Sequence, residues 1–75
     1  MKSLSEIEEG KKAKVLNILG GKSVRQHLST IGIHAGDIVF VKRHAVWGGP
    51  ILIEVHGSEV ALGRGVASKV QVEEV

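Results

Sequence analysis

Residues 28–41, Leu-Ser-Thr-Ile-Gly-Ile-His-Ala-Gly-Asp-Ile-Val-Phe-Val, constrain the fold more than any other stretch of the chain. They read as the end of a short helix, a corner bounded by Gly32 and Gly36, and the start of a strand. Glycine adopts the positive φ angles that a helix stop or a tight turn requires. Leu28, Ile31 and Ile33 direct large aliphatics to one side, and Val39 and Val41 continue them at strand spacing. Helix, corner and strand therefore share one core.

That core belongs to a single domain spanning all 75 residues. A domain of this size buries only about 60% of the surface its unfolded chain exposes, so every inward aliphatic counts. There is no cysteine, hence no disulfide or thiolate metal site to staple it. The only aromatics are Phe40 and Trp47, which leaves Val, Ile, Leu and Ala to fill the interior. Ten glycines favour short strands and tight turns over a helical bundle.

Each further segment carries its own pattern. Ser5 is placed to cap a turn carrying Glu6, Glu8 and Glu9 that ends at Gly10, with Leu4 and Ile7 plugging one end of the core. Lys11 to Leu19 opens as a half-buried strand, with Ala13 and Val15 inward. Leu16 and Ile18 then fall on the opposite parity, which predicts a bulge near Leu16. Ser23 to Ile31 is a helix with Ser23 as N-cap and Val24, Leu28 and Ile31 on one face. Strands are predicted at 38–45, 51–56, 59–62 and 70–75, with a turn at Gly57-Ser58 and one helical turn around Val66-Ala67. The fold class is mainly β: about five short antiparallel strands curled into a small barrel, with one short helix.

The spacing of polar residues excludes several chemistries. Gly21-Lys22-Ser23 matches the end of a nucleotide-binding P-loop, but the glycine required five positions before Gly21 is Leu16. Gly63-Arg64-Gly65 fails the dinucleotide pattern at Ser68. No spacing sets a nucleophile beside a base and an orienting group, so no enzymatic activity is expected. The ten basic and eight acidic residues are spread from Lys2 to Lys69, a solvated surface rather than a nucleic-acid patch. Phe40 and Trp47 alone are available to stack on bases. The segment MKSLSEIEEGKK lacks the apolar run of a signal peptide, and the longest aliphatic or aromatic run, Ile38 to Val41, is far short of the ~20 residues of a membrane span. A soluble, cytoplasmic protein with no direct membrane insertion is expected.

Two features remain as candidate sites. His27, His34, His44 and His56 form no HxH or HxxxH pair. Of these, His44 and His56 lie near the ends of adjacent strands, where they could face each other and weakly hold Fe2+ or Zn2+ with Glu54, Glu59 or Asp37. No resident cofactor is expected. The second and third strands carry the other feature. If Val39, Val41, Ile53 and Val55 face inward, then Ile38, Phe40 and Leu52 face outward, near Trp47 in the joining loop. Such a strip predicts a contact surface for a partner or for self-association into a homo-oligomer.

The segments Leu4-Ser5-Glu6-Ile7 before Gly10, Leu28 to Gly36, Val39 and Val41, Gly49-Pro50 with Ile53 and Val55, Gly57 before Val60-Ala61-Leu62, and Ala67 with Val70 and Val72 together resemble the FeoA family. The resemblance covers almost the whole chain in the same order. One departure is Ala35, where the family often has proline. The resemblance implies an SH3-like β-barrel and a regulatory role in ferrous-iron uptake by contact with FeoB, a membrane transporter with a cytoplasmic GTP-binding domain. It transfers no catalytic residue and no metal ligand. The same SH3-like domain occurs at the C-terminus of metal-dependent repressors, so the alternative it implies is a metal-responsive regulatory module.

Overall fold

In a computed structural model that describes residues 2–75, the chain forms one antiparallel sheet of six strands curled around an aliphatic core. The strands are β1 (Lys2–Ser3), β2 (Lys12–Ile18), β3 (Ile38–His44), β4 (Ile51–Val55), β5 (Ser58–Leu62) and β6 (Val70–Glu74), in the order β1-β6-β2-β3-β4-β5. Helix α1 (Lys22–Thr30) joins β2 to β3, and the single turn α2 (Arg64–Ala67) joins β5 to β6. Short 3-10 turns occupy Leu4–Glu6 and Val46–Gly48.

Strand β1, which makes the strands six rather than five, was not legible in sequence. Lys2 pairs with Val72 and Ser3 with Gln71, and two residues are too few to show alternation. Two caps also differ from expectation. Gly21, rather than Ser23, is the N-cap of α1, so Lys22 and Ser23 lie inside the first turn. At the N-terminal 3-10 turn the cap is Ser3 rather than Ser5: Glu6 Oε1 accepts from the Ser3 backbone N–H at 2.7 Å. Serine two residues from a true cap is a common ambiguity, because the cap is set by backbone φ/ψ and not by residue type alone.

The predicted corner forms, and its hydrogen bonds explain both glycines. The Ile33 N–H donates to Leu28 O at 2.9 Å and the Gly32 N–H to Ser29 O at 3.0 Å. This is the Schellman pattern, with Gly32 at φ +85° and the accompanying apolar contact made by Leu28 and Ile33, both fully buried. A turn over 34–37 follows, closed by the Asp37 N–H donating to His34 O at 3.1 Å, with Gly36 at φ +96°. The Gly36 N–H donates to Val15 O and the Val15 N–H to Asp37 O, which ties the corner to β2.

Position 35 is the second residue of that turn, where proline presets φ when the third residue has positive φ. Ala35 is exposed, and its N–H donates no backbone bond among the described residues. Ala35→Pro is therefore expected to raise stability by about 0.4–1 kcal/mol through the unfolded chain. Urea unfolding of the two proteins measures it; a loss of stability would show that residues 34 and 35 do not have turn geometry.

Two bulges shape the barrel. Opposite β6, Val15 pairs with Val72 and Asn17 with Gln71, so Leu16 is the extra residue, as its parity suggests. Leu16 is left exposed and Ile18 turns back against the core. Opposite β4, Val41 pairs with Ile53 and Arg43 with Leu52, so Lys42 is extra. That second bulge sends both Lys42 and Arg43 outward and turns His44 towards the interior. The β4–β5 turn is His56-Gly57, one residue earlier than expected. Both have positive φ (+51° and +78°), the signature of a tight two-residue hairpin. The core is aliphatic throughout, from Leu4 and Ile7 at one end through Val39, Val41, Ile51 and Ile53 to Val70 and Val72.

Candidate functional site

The alternation of β3 and β4 settles which side chains face out. Val39, Val41, Ile53 and Val55 are buried, so Ile38, Phe40, Leu52 and Glu54 lie on the outer face. Ile38 is 46% exposed, whereas Phe40 and Leu52 are half-buried. Ile38 and Phe40 form the floor of an open groove of about 450 Å³, with Lys12, Lys42, Glu54, His56 and Gly57 around it. Register accounts for this grouping: Phe40 lies between Lys12 of β2 and Glu54 of β4, and Ile38 lies beside Lys14.

Leu52 and Trp47 are placed differently. Leu52 lies opposite Arg43, beyond the Lys42 bulge, and is not part of the groove. Trp47 sits in the β3–β4 loop, at the far end of β3 from Ile38, and is 99% exposed. A partner reaching both ends of β3 would span about 20 Å at the usual strand rise. Trp47 also has a left-handed backbone, φ +62°, in which bulky residues are uncommon.

Lys42 organises the wall of the groove. Its Nζ lies 2.6 Å from Glu59 Oε2 and 3.7 Å from Glu54 Oε1. The Lys42 hydrogen bond and charge hold the Glu59 carboxyl below its ordinary value, and the same contact raises Lys42. Glu6 is likewise held low, first by the Ser3 backbone N–H. A carboxylate so depressed stabilises the fold fully above pH 4.5, and that contribution is lost as the pH falls through its lowered value. Lys42 stabilises fully below pH 10.5 and ceases to do so as the pH rises through its raised value. The melting temperature should therefore decline on acidification below about pH 4.5, and Glu59→Gln should shrink that decline. An unchanged acid limb in Glu59→Gln would remove Glu59 as a contributor.

The four histidines separate into different roles. His44 and His56 do not face each other. His44 pairs with Ile51 at the start of β4, whereas His56 follows Val55 at its end. An antiparallel neighbour reverses direction, so the two imidazoles occupy opposite ends of β4, roughly 15 Å apart at the strand rise. His44 is already bonded through both ring nitrogens: Nε2 to the Ile7 carbonyl at 2.6 Å and Nδ1 to Arg64 Nη2 at 3.4 Å. The carbonyl only accepts and the guanidinium only donates, so Nε2 carries the proton. The backbone N–H of His44 donates to Glu9 Oε2 at 2.7 Å.

His56 instead meets Asp37, with Nε2 3.1 Å from Oδ1. His34 joins the same carboxylate: its Nδ1 is 3.6 Å from Oδ2, and its backbone N–H donates to Oδ2 at 2.7 Å. Ser29 Oγ lies 3.2 Å from His34 Nε2. Of the three acids the sequence offers beside His56, the structure brings Asp37 to it across the hairpin, while Glu54 and Glu59 lie on Lys42. As they stand, no three His, Asp or Glu side chains among the described residues are arranged to hold a metal ion. No helix among them is long and apolar enough to cross a membrane.

The architecture is that of an SH3-like barrel, one that carries an apolar strip with charged walls on its outer face. The FeoA domain model matches residues 2–74. A curated protein of Methanocaldococcus jannaschii, named as an Fe(2+) transport protein A, is 36% identical over 74 residues, covering 99% of this chain and 88% of that protein. The crystal structure of an iron uptake regulatory protein, FeoA, superposes with a TM-score of 0.89 at 39% identity, covering 99% of this chain and 96% of the other. A manganese-dependent transcriptional repressor superposes with a TM-score of 0.90 at 20% identity, over 99% of this chain and 41% of the repressor, a likeness of fold alone. The chain belongs to the FeoA family.

Proposed function

We propose that this protein is a non-enzymatic, cytoplasmic accessory protein of ferrous-iron uptake that acts by contact with the cytoplasmic part of a FeoB-type transporter. The observation that supports this reading most is Ile38 at 46% exposure beside Phe40, on a barrel whose core is already complete. A small domain gains nothing in stability from apolar side chains left in water, and such a strip is the usual mark of a contact surface. Ile38, Phe40, Trp47 and Leu52 are the partner-binding residues of this reading, with the Ile38–Phe40 groove as its centre.

The test is capture of the transporter's cytoplasmic part by the purified protein, with GDP, with a GTP analogue and without nucleotide. Ile38→Asp and Trp47→Ala should leave the circular dichroism and melting temperature nearly unchanged, since exposed substitutions stay within about 0.5 kcal/mol. At least one of them should weaken capture by a hot-spot amount, about 2 kcal/mol or more. Failure to bind in every nucleotide state would sink the reading.

One observation favours a second reading, a metal-responsive module. Asp37 already has two imidazoles beside it, and a modest inward movement of His34 would give a carboxylate and two nitrogens around one point. Calorimetry with Fe2+ under anaerobic conditions, and with Zn2+, decides it. Saturable binding lost in Asp37→Ala supports the module; heats of dilution alone remove it.

A further inference from the structure

Building on the proposed contact with a partner, we infer that the segment docking in the Ile38–Phe40 groove is acidic and amphipathic, held by its side chains and not by strand addition. Two observations carry this inference.

The first is the hydrogen bonding beneath the groove. Its floor and walls come from β2, β3, β4 and the β4–β5 turn, and each of these three strands has a neighbour on both sides in the order β6-β2-β3-β4-β5. Their backbone N–H and C=O groups are therefore directed at one another. An extended segment has no edge to extend here, so recognition falls to side chains projecting from the sheet. The partner must supply apolar side chains for the Ile38–Phe40 floor from its own ordered element.

The second is the charge left over around the floor. The two acids on the β4–β5 side, Glu54 and Glu59, both lie on Lys42, so the cation of that wall is paired and the wall carries one net negative charge. The β2 side differs. Lys12 lies directly opposite Phe40 and Lys14 directly opposite Ile38, and both are exposed. Neither has an ion-pair partner among the described residues; the nearest acid in register is Glu73 of β6, across from Lys14. Lys12 is thus an unpaired ammonium at the lip of an apolar groove. A carboxylate flanking the partner's apolar anchors would meet it, and meet it in a partly desolvated setting where charge complementarity fixes register and speeds encounter. A basic segment would instead be repelled by Lys12, with Lys14 adding to the same sign.

The binding experiment uses the full chain and the cytoplasmic part of the transporter, followed by fluorescence anisotropy. Affinity should fall about tenfold or more between about 50 mM and about 0.5 M salt, because the Debye length shortens to a few ångströms. Lys12→Glu should weaken binding by about tenfold at low salt and much less at high salt. Lys12 is exposed, so this variant should keep the wild-type melting temperature. Lys12→Arg should retain binding. Binding that ignores both salt and Lys12→Glu overturns the inference while leaving the transporter contact intact. Tighter binding by Lys12→Glu also overturns it, because the partner segment is then basic. No binding in any condition overturns the transporter contact itself, and the inference with it.

Discussion

Ile33→Ala is expected to remove about 2–5 kcal/mol of stability, the usual cost of deleting a buried aliphatic and leaving a cavity. A 75-residue domain has about 4–11 kcal/mol to lose, at the usual stability per residue. The substitution therefore removes a large share of the whole and can unfold the protein at physiological temperature. Ile33 has this weight because of where it stands. It is fully buried, it donates the bond that closes the end of α1, and it packs against Leu28 at the junction of helix and sheet. Ile38→Ala is the control. It removes the same atoms from a side chain that is 46% exposed and should cost about 0.5 kcal/mol or less. Chemical denaturation of both variants gives the comparison. Equal losses would mean that the outer face is packed as tightly as the core, and the contact-surface reading would fail with it.

His44→Ala is expected to cost about 1–3 kcal/mol, because buried or half-buried groups left without partners pay their desolvation in full. The alanine would strip the Ile7 carbonyl and Arg64 Nη2 of their imidazole partner. Arg64 is already short of partners, since its Nε is buried without a hydrogen bond among the described residues. The loss should correspond to several degrees of melting temperature, at roughly 4–8 °C per kcal/mol for a domain of this size. It should be the same in chelator and in Fe2+ or Zn2+. A histidine kept as a metal ligand behaves in the opposite way, with little effect in chelator and a deficit only with metal present. His44→Gln preserves one bond and should recover part of the loss, which separates a structural hydrogen bond from the volume of the ring.

The two sites differ in how far they could be read ahead of the structure. The outward strip on β3 and β4 follows from period-two alternation alone: Val39 and Val41 inward force Ile38 and Phe40 outward. What alternation could not supply is the lateral register. Glu54 faces Phe40, and the Lys42 bulge displaces Leu52 from the groove, so the strip is shorter than expected and ends before Trp47. The histidines were harder. Sequence order places His44 and His56 at the ends of adjacent strands, but an antiparallel return puts them at opposite ends of β4.

By itself the sequence determined what local chemistry controls. The Leu28-to-Gly36 corner is written in residue types, because only glycine fits φ +85° and +96° at low cost and only aliphatics at those spacings can close over a core. Strand parity and the Leu16 bulge are local for the same reason. The tertiary structure alone decided which polar groups meet: Asp37 with His56 across the hairpin, Lys42 with Glu59, and His44 turned inward onto the Ile7 carbonyl and Arg64 by a one-residue bulge. These contacts depend on the pairing register between distant strands. A shift of one residue there reverses every side chain, and no single stretch of sequence encodes it.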